Sequence, residues 1–335
     1  MDRKKVTAIL LALAAAALYA VSIPVSKLLL QNVSPVFMSA FLYFGAGVGI
    51  SAVRLVTGRR SGKPAQKLTR QDLPYTVGMI VLDIAAPIFL MLGLKSATAA
   101  NVSLLASFEI VATALVALMV FKELISARLW VAIGLISLAS LLLSFEDLES
   151  LHFSYGSLFV LAACVCWGFE NNCTRKLSSK STYEVVILKG LFSGLGAFII
   201  ALLSGESLPS GANILLVMLL GFVSYGVSIF LYVRAQRYLG AAKTSAYYAL
   251  SPFIGTLLSV LLLHERLDWT YFTALFLMLL GVAGTVWDTL VRCHTHLHTH
   301  TIVHTHDGST HTHTITHSHE HEHFGNAPLT NHHMR

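Results

Sequence analysis

Four ionisable residues, Asp83, Glu109, Glu170 and Lys189, sit well inside long hydrophobic runs. A charge at the middle of a bilayer costs about 2.5–3.5 kcal/mol on insertion scales, so each needs a partner or a task. Spacing gives the acids company. Asn101, Leu105, Glu109 and Thr113 recur every four residues, which puts an amide, an acid and a hydroxyl on one helical face. Trp167, Glu170, Asn171 and Thr174 likewise share a face, an aromatic platform beside an acid and an amide. Asp83 stands one turn before Pro87, where a proline frees a backbone carbonyl and bends a helix. Tyr247, Tyr248 and Ser251 precede Pro252. An apolar wall with few polar groups is what a small-solute pocket requires. The substrate-binding candidates are therefore Asp83, Asn101, Glu109, Thr113, Trp167, Glu170, Asn171, Tyr248 and Ser251. The plainer reading is that these acids are neutral and hydrogen-bonded, or pair with Lys189 or Lys27 to hold helices together.

A second set of ligating residues lies at the other end of the chain. Fourteen of the sixteen histidines fall at or beyond residue 294, mostly as His-X-His. The candidate metal ligands are His294, His296, His298, His300, His304, His306, His311, His313, His317, His319, His321 and His323. Neutral imidazole suits zinc, nickel, copper and cobalt, and Cys293 offers a thiolate for softer ions. With little apolar surface to bury, the tail is expected to be disordered. It is expected to hold zinc or nickel as an accessory, with no cofactor required, because the hydrophobic runs contain carboxylates and cysteines but no histidine.

These residues are carried by a chain of 335 residues that is 55% hydrophobic and 12% charged, with a mean hydropathy of +0.69. Soluble domains carry about 25% charged residues, so lipid is the expected solvent. Apolar runs fall at about 6–30, 35–56, 73–94, 97–121, 127–145, 156–177, 183–204, 212–235, 241–263 and 268–289. Each approaches the ~20 residues a helix needs to cross a hydrocarbon core, and none alternates as a barrel strand would. The first run follows a basic start like that of a signal peptide, but it continues through "VSIPVSKLLL" and is read as a span. The net charge of +6 does not point to nucleic acid, because lysine and arginine sit in short connectors. Residues 3–5, 54–70, 122–128, 175–180 and 234–243 carry most of them, which places both termini in the cytoplasm. The four cysteines suggest no disulfide framework, and neither His152 nor His264 is deep in a run. No catalytic set emerges, and no enzyme is expected.

The two halves repeat. "LYAVSIPVSK" (18–27) aligns with "CWGFENNCTR" (166–175), matching Tyr19 to Trp167 and Lys27 to Arg175. "FKEL" (121–124) and "HERL" (264–267) each close an apolar run, matching Glu123 to Glu265. These glutamates, at helix ends, are read as structural. Five helices repeated once must take opposite orientations, and inverted repeats suit alternating access to a central site. At these residues the chain resembles the drug/metabolite transporter superfamily, in particular the EamA-type ten-helix carriers, over about residues 6–289. That resemblance implies secondary transport of small organic solutes such as amino acids, metabolites or drugs. One departure is "SFEI" (107–110), with an acid near the proline expected from "LSPF" (250–253) in the other half.

The expected architecture is an all-α polytopic membrane protein of ten transmembrane helices in two inverted five-helix repeats. Residues 1–146 and 147–291 form the repeats and 292–335 the tail. The expected function is a secondary transporter of a small organic solute in the plasma (inner) membrane, with protonation of Glu109 or Glu170 coupling it to a proton gradient. The expected partners are a small-molecule substrate, the lipid bilayer and a second copy in a homodimer. The alternative is a divalent transition-metal carrier, or a metal-responsive membrane sensor, that uses the tail.

Overall fold

The computed structural model describes residues 3–57, 68–122, 125–147, 152–177, 180–239, 244, 247–306 and 309–324. Uninterrupted apolar stretches fold as single helices: α3 (Pro35–Thr57), α4 (Leu73–Ser96), α7 (Ala127–Ser144), α8 (Tyr155–Lys176), α9 (Thr182–Leu203) and α13 (Trp269–Leu290). The other runs are broken. The first divides into α1 (Arg3–Ala20) and α2 (Ser22–Leu29), where Pro24 has no N–H to bond the Ala20 carbonyl. The fourth divides into α5 (Ala99–Leu105) and α6 (Phe108–Phe121) around Ala106 and Ser107. A further run comprises α10 (Gly211–Gly221), a π-helical stretch at Phe222–Val227 and α11 (Ser228–Leu239). In the ninth run, α12 (Ser251–Leu263) begins after a turn at 249–250, with Pro252 in its first turn.

Polar caps set the helix ends. Ser126 accepts from Leu129 N at 3.0 Å, and Thr98 accepts from Asn101 N at 3.3 Å. Glu265 accepts from the N–H groups of Ala99 and Ala100 at 2.7 and 2.8 Å, so it caps α5, as its structural reading anticipated. Glu123 lies outside the described residues. Lys27 donates to the carbonyls of Leu94 and Ala97 at 2.6 and 2.7 Å, closing the C-terminus of α4. Lys122 and His264 both adopt left-handed backbone, with φ of 54° and 53°, at the ends of α6 and α12. The repeat seen in the sequence thus recurs as a shared C-cap.

Among the described residues, eight helices are long and apolar enough to cross a membrane. The other two expected spans fall short for different reasons. Tyr155–Lys176 carries Glu170, Arg175 and Lys176, and Ser251–Leu263 has only 13 residues. Large apolar side chains such as Leu10, Val81, Leu138, Leu202, Leu261 and Phe276 point outward, as lipid-facing surfaces require. Helices pair across the two halves: α3 with α9, α4 with α8, α5 with α12, α7 with α13, and α1 with α11.

The tightest approach joins α3 to α10. A Cβ added to Gly221 would stand 2.0 Å from the Leu42 carbonyl oxygen, and one on Gly45 would stand 2.0 Å from that of Met218. Backbone faces backbone, so no side chain can rotate away. Gly221→Ala is expected to cost at least the ~1–3 kcal/mol of an overpacked core. Gly134→Ala, with nothing within 4 Å, is expected to leave stability unchanged or slightly raised. Thermal unfolding of both variants in detergent checks this pair.

Among the described residues the body is all-α as expected, and strands pair only outside it. β1 (Phe145–Asp147) pairs with β2 (His152–Phe153), and β3 (Val291–His306) pairs antiparallel with β4 (Ser309–Phe324). The second ribbon lies in the described residues of the tail. Histidine alternates there with β-branched threonine at the two-residue period of a strand, and both segments carry the pattern.

Candidate functional site

Proline and the helix breaks place polar side chains around one central cavity of about 210 Å³. Its wall comes from α1 (Tyr19), α3 (Tyr43, Ala46), α6 (Glu109), α8 (Trp167, Glu170, Asn171) and α9 (Val186, Lys189, Gly190). Tyr225 of the π-helical stretch, Ile229 of α11 and Tyr248 complete it. Both halves of the chain therefore contribute.

Lys189 stands at the centre of the charge pattern. Its Nζ is 3.0 Å from Glu170 Oε1 and 3.0 Å from Asp83 Oδ2, the latter an ion pair without the alignment of a hydrogen bond. Tyr43 donates its hydroxyl to Asp83 Oδ1 at 2.9 Å, and Thr174 donates to Glu170 Oε1. Asp83 and Glu170 are buried, so removing two carboxylates from water is offset by one shared ammonium and two hydroxyls. The pairing with Lys189 was the plainer of the two expectations for these acids. Asp83 sits behind Tyr43 and Lys189 and does not itself line the cavity, whereas Glu170 does.

Glu109 is differently placed. It lies in the first turn of α6 and accepts from Asn171 Nδ2 at 2.7 Å, and the same amide donates to Thr113 Oγ1 at 3.2 Å. An acid at a helix N-terminus is favourably placed by the helix dipole. No lysine or arginine pairs with it among the described ion pairs. The expected grouping of Glu109, Thr113, Trp167, Glu170 and Asn171 is brought together here.

Asp83 and Thr113 stand one hydrogen bond behind the wall, and two expected residues fall elsewhere altogether. Asn101 is turned away by the break at Ala106–Ser107 and donates to the Leu143 carbonyl at 2.9 Å. An unbroken helix would have kept it in line with Glu109; the turn removes it. Ser251 is buried at the start of α12, outside the cavity wall. Tyr248 does line the wall and belongs to an aromatic chain. Its ring centroid is 5.7 Å from that of Tyr19, Tyr19 is 5.6 Å from Tyr225, and Tyr225 is 5.7 Å from Tyr43. The sequence reading passed over Tyr43 and Tyr225 as site residues and used Tyr19 only to mark the repeat. Its usable signal was the pairing of Tyr19 with Trp167. Tyr225 lies in the π-helical stretch, a distortion that recurs at functional sites and re-aims side chains.

In the tail, backbone register pairs His294 with His321, His296 with His319, His298 with His317 and His304 with His311. Even positions of β3 pair with odd positions of β4, and Cys293 is paired with Glu322 in the same backbone register. The three cysteines of α8 (Cys164, Cys166 and Cys173) are free.

The model of the EamA-like transporter family matches this chain twice, over residues 6–145 and 154–287. An uncharacterized transporter from Methanothermobacter thermautotrophicus is 25% identical over 293 residues, covering 81% of this chain and 83% of that protein. A solved crystal structure superposes with a TM-score of 0.60 at 19% identity, over 83% of this chain and 95% of that one. At that identity the second likeness speaks for fold alone.

Proposed function

The chain belongs to the EamA-like transporter family, and on that premise we propose a secondary transporter that moves a small organic solute by alternating access through the central cavity. The protein is a multi-pass membrane protein, and we place it in the plasma membrane with both termini cytoplasmic, from the distribution of lysine and arginine. The observation that carries the reading is an acid-bearing, aromatic cavity built by helices of both halves. Its 210 Å³ lies below the ~300–1,000 Å³ of drug-sized sites, which favours a metabolite-sized solute.

Ten spans, counting α8 and α12 as crossings, give the two halves opposite orientations. The helix pairing supports that symmetry. Exchanging each span with the one five places away turns the α1–α11 pair into the α4–α8 pair. The α3–α9, α5–α12 and α7–α13 pairs map onto themselves. Such a two-fold arrangement can open one site to either face. A proton is the proposed coupling ion, taken up at Glu109, the cavity acid without a lysine partner. The test is exchange in proteoliposomes preloaded with amines, amino acids, carboxylates or sugars. Saturable uptake of one class supports the reading, and its absence for every class contradicts it.

The metal-carrier alternative is not favoured: among the described residues no group of three histidine, cysteine or acidic side chains is placed to hold a metal ion. For the tail we propose a separate, accessory role: its many His-X-His repeats bind zinc or nickel. Only unprotonated imidazole coordinates, and free histidine titrates near 6.5, so binding is expected to weaken as pH falls from about 7 to 5. Calorimetry on the full chain and on a chain ending at Val291 checks it. Equal zinc uptake by the two contradicts the proposal.

A further inference from the structure

Resting on the reading of the central cavity as the solute site, we propose that the solute is an organic ammonium: a protonated amine or quaternary cation with an apolar body and no free carboxylate. Three observations converge on that chemistry.

The first is charge. Asp83, Glu109 and Glu170 face a single lysine, and Lys189 is already shared between Asp83 and Glu170 at 3.0 Å each. Glu109 is held only by an amide and lies on the cavity wall. A cationic solute supplies the charge this wall lacks, whereas an anion would add a further negative charge to an acidic, poorly hydrated site.

The second is the lining. Tyr19, Tyr43, Trp167, Tyr225 and Tyr248 present five aromatic rings to one cavity. Ring faces attract ammonium groups, and an aromatic cage beside an acid is a general way of holding them. The Tyr225 hydroxyl, buried beside Ser22, forms no aligned hydrogen bond.

The third separates amines from amino acids. A carboxylate is held most strongly by a cation or by free backbone N–H groups. Lys189 is committed, and at the break leading into α6 the N–H groups of Glu109 and Ile110 are bonded to Ala106 O and Ser107 O at 3.1 Å. A zwitterion's carboxylate would therefore meet only neutral donors on this wall, beside Glu109 and Glu170, and is the less favoured solute.

The probe is benzyltrimethylammonium, a permanent cation, compared with benzyl alcohol and benzoate. Binding is measured by calorimetry on the full-length protein in detergent, and exchange in proteoliposomes. The cation is expected to bind at least tenfold more tightly than either comparison solute. Glu109→Gln, which keeps the oxygen that accepts from Asn171, is expected to weaken cation binding tenfold or more. Glu109→Asp, which keeps the charge, is expected to restore part of it. If benzoate, benzyl alcohol or zwitterionic amino acids exchange saturably and the cation does not, the ammonium class is overturned while the carrier reading stands. Cation binding lost in Glu109→Gln, with no exchange of any solute, supports the ammonium site and overturns the carrier. Cation binding unaffected by Glu109→Gln overturns the assignment.

Discussion

Replacing Lys189 by methionine is expected to lower the stability of the folded protein more than any other single polar change around the cavity. Among the described ion pairs the lysine is the one cation within 4 Å of both Asp83 and Glu170, whose side chains are 0% and 2% exposed. Taking it away strands two carboxylates in a medium that cannot hydrate them. Breaking a buried pair in this way costs about 3–5 kcal/mol, and here one cation serves two acids. The methionine stem replaces most of the lost packing, so the effect reports charge rather than a void. The companion variant Asp83→Asn/Glu170→Gln/Lys189→Met removes all three charges and is expected to recover most of the loss. Thermal unfolding in detergent reads both. A Lys189→Met protein that melts with the parent would mean that the three groups do not depend on one another.

Glu109→Gln is expected to abolish coupling while leaving the fold intact. The glutamine can still accept from Asn171, and α6 keeps its polar first turn, but no proton can be gained or lost there. In proteoliposomes with an imposed pH gradient, the parent protein is expected to concentrate its solute several-fold. The variant, assayed at solute concentrations raised to offset weaker binding, is expected only to equilibrate it. Proton flux recorded alongside solute uptake separates the two behaviours. Accumulation that persists in Glu109→Gln would move the coupling role to another group.

Much of the helical body could be read in the sequence because its signals are local. Length and hydropathy marked α3, α4, α7, α9 and α13 as spans, and the repeat of "FKEL" and "HERL" reappears as the matched left-handed caps at Lys122 and His264. The acids were conspicuous for the same reason: few charges survive in apolar runs without cause. What could not be read was long-range. Lys189 lies 106 residues beyond Asp83 in sequence, and nothing in either segment announces that they touch. Four-residue spacing placed Asn101 with Glu109 only so long as the helix ran unbroken through Ala106–Ser107, a stretch without proline. Tyr43 and Tyr225 resembled ordinary core aromatics until the π-helical stretch and the α3–α10 contact brought their rings together. In the tail, ligand chemistry was plain from composition, but the backbone pairing register is not contained in composition.

If solute crosses through the cavity walled by Glu109, Glu170, Trp167 and the tyrosines, filling that cavity must stop transport. Solute counterflow in proteoliposomes containing either the parent chain or Ala46→Phe measures this. Ala46 lines the cavity and carries no polar function, so a phenyl ring there fills the space without altering charge. Saturable counterflow is expected from the parent chain and none from an Ala46→Phe protein that still gives a monodisperse, cooperatively melting preparation. Undiminished counterflow with the cavity filled would contradict passage by this route.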